Sequence, residues 1–150
     1  MKSLFQESAA AEITARVAAL RAESVRQWGR MSPGQAAAHC AAAMEMATGD
    51  KKLPRVWFGY LFGGIAKGMV LGNDRPMKKN APTARELRFD DSRNVEAEKK
   101  RLTELVARFA KGGAAGCTTH PHPFFGALTP EEWAELTYKH LDHHLRQFGV

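Results

Sequence analysis

One helix-start signal occurs twice in this chain, and it restricts the fold more than any other feature. Ser32-Pro33-Gly34-Gln35 and Thr129-Pro130-Glu131-Glu132 each place a hydroxyl side chain at the N-cap, proline at the first helical position, and glutamine or glutamate at the third. Such a capping box satisfies free backbone N–H groups, and proline at that position loses no hydrogen bond. We therefore expect one helix from Ser32 to a stop at Gly49 and another from Thr129 to about Phe148.

The spacing of apolar residues indicates two more helices. Residues 8–20 carry an apolar stripe that includes Ile13 and Val17, and residues 92–111 repeat apolar side chains at the helical period before a Gly-Gly stop. Between the second and third helices lies a crossover of about forty residues, which is too long for a bare loop in a compact domain. Its first half, around residues 56–71, is expected to form a fifth, glycine-interrupted helix, and its second half an extended surface segment.

The chain as a whole is expected to be all-α and to form a single domain over residues 1–150. Alanine is abundant and strand-like alternation is nearly absent. A four-helix bundle with one long, partly helical crossover between its second and third helices accounts for the pattern.

Residues 56–71 are shorter than the roughly 20 residues of a bilayer span, and the amino-terminal segment lacks the apolar region of a signal peptide. Two distant cysteines, Cys40 and Cys117, in no CxxC spacing favour the reducing cytoplasm.

Positive charge is concentrated in the middle of the chain. The formal net charge is +6, and residues 51–101 hold 13 Lys/Arg against 6 Asp/Glu. A basic segment can attract nucleic acid or another acidic partner, but solvated surface loops have the same composition. The segment lacks a recognition-helix pattern and evenly spaced aromatic residues, so nucleic-acid binding is the less favoured function class.

Three of the six histidines, His140, His143 and His144, lie within five residues of one another. Each helical residue advances by about 100°, which places His140 and His144 in the middle of the apolar stripe and His143 at its border. A pair at this spacing has Cβ atoms about 5–6 Å apart, so that both rings can reach one ion. His39 lies on an inward-facing, alanine-rich stripe of the second helix and is the third candidate ligand.

Three neutral imidazoles suit a divalent transition metal such as Zn, Ni, Fe, Co or Mn, and they leave positions open for water or substrate. The sequence does not choose among these metals. The alternative is a set of hydrogen-bonded core histidines without an ion, although buried imidazoles without a partner are costly. If they are ligands, the rings of His39, His140 and His144 should approach within about 3–4 Å of one another.

Other polar residues give weaker candidates. Cys40 follows His39 directly but is turned about 100° away, which favours a small buried residue over a fourth ligand. His120 and His122 precede the last helix, and the helical rise separates their loop from His140 by about 15 Å along the helix axis. Unless the loop folds back, they are expected at the rim or in a structural role.

No catalytic residue is assigned from the sequence. Glu45 and Asp142 are the carboxylates nearest to the candidate ligands along the chain. Asp142 is expected to point outward, and Glu45 lies off the stripe of His39, so neither is a general base by this argument.

The apolar stretch VWFGYLFGGIAKGMV has several interpretations. It can pack over the bundle, line an apolar pocket beside the metal, form a dimer interface, or contact a membrane surface with Lys51, Lys52 and Arg55 at its edge. We favour the pocket or the interface.

The segments WGRMSPGQAAAHC and HLDHHLRQ, with HPFFGALTPEEW before the last helix, resemble the DinB/YfiT-like superfamily, and within it a branch of uncharacterised proteins. The resemblance covers essentially the whole chain. It implies an up-down-down-up four-helix bundle, often a dimer, with a divalent metal bound by three histidines at positions that match His39, His140 and His144. Characterised relatives include metal-dependent thiol transferases, a thiol-dependent isomerase and hydrolases. The usual HRGQ is HLRQ here, so no particular reaction is transferred.

Spacing and resemblance together predict a cytoplasmic, homodimeric bundle that acts on a small molecule. In this hypothesis the metal activates a thiol or water for transfer or hydrolysis. The alternative is a non-catalytic binding or sensing bundle with an apolar pocket or a dimer interface.

Overall fold

A computed structural model describes all 150 residues. It contains no strand and five α-helices, which are α1 (Glu7–Ala19), α2 (Pro33–Thr48), α3 (Trp57–Val70), α4 (Val95–Gly112) and α5 (Pro130–Gln147). The predicted all-α class is confirmed, and α3 occupies the first half of the crossover, where a fifth helix was expected. None of the five is both long and apolar enough to cross a membrane.

Both predicted capping boxes are present. The Ser32 hydroxyl accepts from the backbone N–H of Gln35 at 3.2 Å, and the Gln35 side chain accepts from the N–H of Ser32 at 2.9 Å. Thr129 and Glu132 make the same reciprocal pair at 3.2 and 2.9 Å. Gly49 ends α2 with a φ of 84°, a left-handed conformation that glycine adopts without strain. These contacts fix where α2 and α5 begin, and so the direction of each side chain on them.

Helices α1, α2, α4 and α5 enclose one apolar core. Both α1 and α2 pack against α4 and α5, and the largest shared surface joins α2 to α4. The alanines of α2 are buried, which lets the neighbouring helices approach closely. The largest fully buried side chains come from the amino terminus and all four helices: Phe109, Leu4, Ile13, Met44, Leu141, Val17 and Val106.

Helix α3 lies outside this core, against the loop 123–126. Its only buried residues are Gly59 and Gly63. A Cβ atom at Gly63 would overlap the carbonyl oxygen of Phe124, and one at Gly59 would lie 2.7 Å from the same oxygen. The helix therefore turns its glycine face to the protein and its large apolar side chains outward.

Candidate metal centre

The structure brings His39 of α2 together with His140 and His144 of α5. One ring nitrogen of each lies within 4.8 Å of the others, and Nε2 of His39 is 2.9 Å from Nε2 of His140. The three pairs of ring centroids are 4.7–4.8 Å apart. Two nitrogens on one tetrahedral zinc lie about 3.3 Å apart, given Zn–N bonds of about 2.0–2.1 Å, so small side-chain shifts suffice to bind one ion. The binding of a metal stays a prediction.

Two of the three rings are oriented by hydrogen bonds at Nδ1. The Nδ1–H of His39 donates to the carbonyl oxygen of Leu87 at 2.8 Å, and that of His144 donates to Oε1 of Gln147 at 2.9 Å. The side-chain amide of Gln147 donates in turn to the carbonyl oxygen of Trp28 at 2.8 Å, which fixes its orientation. Because these acceptors carry no proton, Nδ1 is protonated in both rings and the Nε2 lone pairs are free for an ion.

Burial keeps these imidazoles neutral. His39 is 2% exposed, whereas His140 and His144 are half-buried. Desolvation lowers the pKa of His39, lowers that of His144 to about 3, and lowers that of His140 well below its usual value, where the charges of the neighbouring histidines add to the effect. Neutral imidazole is the form that binds metal ions.

The same geometry is compatible with a cluster that holds no ion. Since Nε2 of His39 is unprotonated, the 2.9 Å contact is then a hydrogen bond donated by Nε2–H of His140. The alternative of hydrogen-bonded core histidines therefore stays open, and metal analysis is needed to decide between the two.

His143 and Cys40 stand apart from the cluster. The ring of His143 is half-buried and packs against the indole of Trp28, with centroids 5.5 Å apart. Cys40 is buried in the core, and burial raises the pKa of its thiol, which keeps it protonated at neutral pH. Neither residue belongs to the group of His39, His140 and His144 whose ligand atoms are close enough to hold one ion.

The two nearby carboxylates are engaged elsewhere. Glu45 forms an ion pair with Arg101 of α4, and Asp142 forms one with Arg16 of α1 at 2.8 Å. Both pairs bind helices together, so neither carboxylate is a free base beside the histidines.

A family model described as a protein of unknown function (DUF1569) matches residues 2–149. The chain belongs to the DUF1569 family. No curated protein and no solved structure matches it. The family description names no reaction, so the function has to be argued from the site itself.

In this DUF1569 chain the loop before α5 folds back onto the first turn of the helix, where the ring of His122 packs against the indole of Trp133 with centroids 5.5 Å apart. His122 lines the same cavity as His39 and His140. The chain reverses between His122 and Gly126, which exchange two backbone hydrogen bonds of 2.8 and 3.0 Å. The ring of His120 contacts the Leu53 carbonyl oxygen at 3.0 Å, and its structural role stays a prediction.

His122 is a neutral hydrogen-bond donor. Its Nδ1 accepts the backbone N–H groups of Phe124 and Phe125, both at 3.1 Å, so its proton is on Nε2. Burial lowers the pKa of this ring to about 4, so it stays uncharged at neutral pH. The sequence signal for this turn was the run of Pro121, Pro123 and Gly126. The helical rise of α5 alone does not take this turn into account.

Two cavities meet at the histidine cluster of the DUF1569 protein. One, of about 620 Å³, has mostly apolar walls that include Met46, Phe58, Val70, Phe125, Trp133 and Leu136. The other, of about 720 Å³, is more polar and includes Trp28, Arg30, Gln35, Arg88, His143 and Gln147. His39 and His140 line both, so an ion held by the cluster would be accessible from either side.

Proposed function

We propose that this DUF1569 protein binds a divalent transition metal ion through His39, His140 and His144 and catalyses transfer or hydrolysis on a small molecule. The observation that carries the proposal is the convergence of three neutral imidazoles within 4.8 Å beside an apolar cavity. Zn, Ni, Fe, Co and Mn all accept such ligands. When bound, the ion would lower the pKa of a coordinated water or thiol and so supply a nucleophile near neutral pH.

The protein's own residues have three tasks in this function. Leu87 and Gln147 hold the rings of His39 and His144 by their Nδ1–H groups. Three protein ligands leave a further position for water, thiol or substrate. The walls of the apolar cavity exclude water from a bound substrate, which strengthens polar interactions inside it.

Two neutral donors narrow the class of substrate. The indole N–H of Trp133 is buried without a hydrogen-bond partner, and His122 carries its proton on Nε2. Both residues line the apolar cavity, where Lys78 is the one charged residue. This lining fits a mainly apolar small molecule with an uncharged acceptor oxygen, to which Nε2–H of His122 would donate.

The resemblance to the DinB/YfiT-like superfamily supports this proposal from a separate direction. The packing of α1, α2, α4 and α5 around one core is compatible with its four-helix bundle. The up-down-down-up arrangement, the homodimer and the cytoplasmic location stay predictions.

The decisive experiment is elemental analysis of protein purified without a histidine tag. We expect about one equivalent of transition metal in the wild type, loss of the metal in a His140→Ala/His144→Ala variant, and retention in His143→Ala, whose ring is outside the cluster. A wild type that stays metal-free after incubation with Zn, Ni and Mn would overturn the proposal. If the wild type does contain metal, the metal-loaded protein would be screened with thiol and ester substrates.

A second candidate is a non-catalytic binding or sensing bundle. It is favoured by the 2.9 Å contact between His39 and His140, which needs no ion, together with the apolar cavity. Apolar ligands that bind equally well to wild type and to the His140→Ala/His144→Ala variant, without turnover, would support this candidate.

Nucleic-acid binding receives no support from the arrangement of charges around the start of α4. Arg93 and Arg101 of the basic region pair with Glu98 at 3.3 and 3.1 Å. Arginines held in this way do not form a free cationic track for a phosphate backbone.

A further inference from the structure

Helix α3 presents an apolar face that nothing in the protein covers. Six large apolar residues of this face are each 52–73% exposed: Trp57, Tyr60, Leu61, Phe62, Ile65 and Met69. Phe58, at the edge of the face, is also exposed but lines the apolar cavity. A single buried aromatic side chain contributes about 150–250 Å², so the face amounts to several hundred Å². Apolar patches of this size on a protein surface mark an interaction site.

The fold holds this face outward. Gly59 and Gly63 lie directly on the backbone of Phe124, whereas a Cβ atom at either of the other two glycines of the helix would have no neighbouring atom within 4 Å, so these two face outward. The backbone N–H of Val56 donates to the carbonyl oxygen of Pro123 at 2.9 Å, which attaches the start of the helix to the same loop.

The end of α3 is attached to α5. The ammonium group of Lys139 donates to the carbonyl oxygen of Val70 at 2.5 Å, and Glu135 accepts from the backbone N–H of Gly72 at 2.9 Å. With contacts at both ends, α3 cannot rotate its apolar side chains into the core without breaking them.

The charge of the chain is concentrated around this helix. Residues 51–79 contain seven cationic side chains and one anionic one, Asp74, so their net charge of +6 equals that of the whole protein. Along the chain, three cations precede the helix and three follow it: Lys51, Lys52, Arg55, Arg75, Lys78 and Lys79. The seventh, Lys67, lies within the helix and is paired with Glu132 of α5 at 2.8 Å. The rest of the chain is neutral on balance.

We propose that α3 docks this protein onto the surface of an anionic lipid bilayer. The helix would lie in the plane of the interface, with its apolar side chains among the acyl chains and the rings of Trp57 and Tyr60 near the headgroups, where such rings concentrate. The flanking Lys and Arg side chains would attract anionic headgroups.

Charge distinguishes this partner from a second copy of the chain. A symmetric dimer through α3 would place two segments of +6 against each other, and this repulsion opposes association. An anionic lipid surface complements the same charge. Docking through α3 uses none of the histidines and is independent of the proposed metal.

The test is cosedimentation of the full chain with vesicles of phosphatidylcholine alone and of phosphatidylcholine mixed with phosphatidylglycerol. We expect binding to the mixed vesicles, much weaker binding to the neutral ones, and weakening by salt. The double variant Leu61→Asn/Ile65→Asn should bind the mixed vesicles at least about tenfold more weakly, because each substitution removes an apolar side chain that the bilayer would bury. Val25→Asn, at an apolar residue 75% exposed outside α3, should leave it unchanged.

Circular dichroism and metal content of the variants show that folding and the histidine site are intact. Equal binding to both vesicle types, no binding to either, or an equal loss in the Val25→Asn control would overturn the proposal. Another outcome is a wild type that forms a dimer without lipid and does not bind vesicles, while the Leu61→Asn/Ile65→Asn variant is monomeric. That result would assign the face to a second copy of the chain instead.

Discussion

Nε2 of His39 lies 2.9 Å from Nε2 of His140, although 101 positions separate the two residues in the chain. The contact depends on the register of two helices, α2 and α5, each of which begins at a capping box with proline at its first position. A shift of one residue in the register of either helix against its neighbours would rotate its histidine by about 100° out of the cluster. Helix capping and the candidate metal centre are therefore parts of one arrangement.

The amide of Gln147 is expected to control metal affinity without being a ligand. It accepts from Nδ1–H of His144 and donates to the carbonyl of Trp28, so it fixes the ring that offers Nε2 to the ion. Gln147→Ala should weaken zinc binding by about 10- to 100-fold, measured by competition with a chromophoric chelator. Gln27→Ala, at an exposed glutamine, is the matched control. Unchanged affinity in Gln147→Ala would contradict the orienting role.

Substitution by alanine should change the stability of the protein differently at two adjacent glycines of α3. At Gly63 the new methyl group would overlap the carbonyl of Phe124, and displacing the helix or the loop should cost about 1–3 kcal/mol. At Gly64 there is no atom within 4 Å, so alanine should be neutral or stabilise the helix by up to about 1 kcal/mol.

Thermal unfolding followed by circular dichroism measures this difference. For a chain of this size, each kcal/mol shifts the midpoint by about 2–4 °C. Equal midpoints for Gly63→Ala and Gly64→Ala would show that α3 does not rest on the loop through its glycines.

Capping and periodicity predicted α2 and α5 because both are local properties of the chain. The inward direction of His39, His140 and His144 follows from the same geometry, because the helical period relates the direction of each side chain to the apolar stripe of its helix. The convergence of two helices on one point is a tertiary property, and the sequence supplied it only as an expectation.

The position of α3 was not predictable from its apolar pattern. Periodicity arguments place the large apolar side chains inward, whereas here the inward face is the one with Gly59 and Gly63. Backbone-to-backbone contact with Phe124 decides the orientation, and this contact joins segments about 60 residues apart. The same loop brings His122 to the cavity that His39 and His140 line, which a distance measured along one helix did not foresee.

The two cysteines are expected to differ in reactivity. Burial, with a smaller contribution from Glu131, raises the pKa of the half-buried Cys117 to about 11, whereas Cys40 is fully enclosed and its pKa is raised further. A disulfide reagent should therefore modify Cys117 slowly at neutral pH and faster as the pH rises, because the thiolate reacts. Cys40 should react only on unfolding. In Cys117→Ser, rapid modification without denaturant would contradict the burial of Cys40.

The stability of the metal-free protein should fall as the pH falls from about 6.5 to about 4. The unfolded imidazole of His122 takes up a proton near its usual pKa, whereas burial lowers the pKa of the folded one to about 4. In this window the unfolded state binds more protons, so acid favours unfolding, and His122 contributes a loss of up to about 3 kcal/mol. Above about pH 6.5 both states are neutral and the contribution vanishes.

Urea unfolding of chelator-treated protein at about pH 7 and about pH 4.5 measures this loss. His122→Asn is the matched variant, because its side-chain oxygen can accept the N–H groups of Phe124 and Phe125 but does not titrate. We expect the variant to lose less stability than the wild type between the two pH values, with the remaining loss due to the other buried histidines. An equal loss in both proteins would mean that His122 is solvated and that the loop does not enclose it.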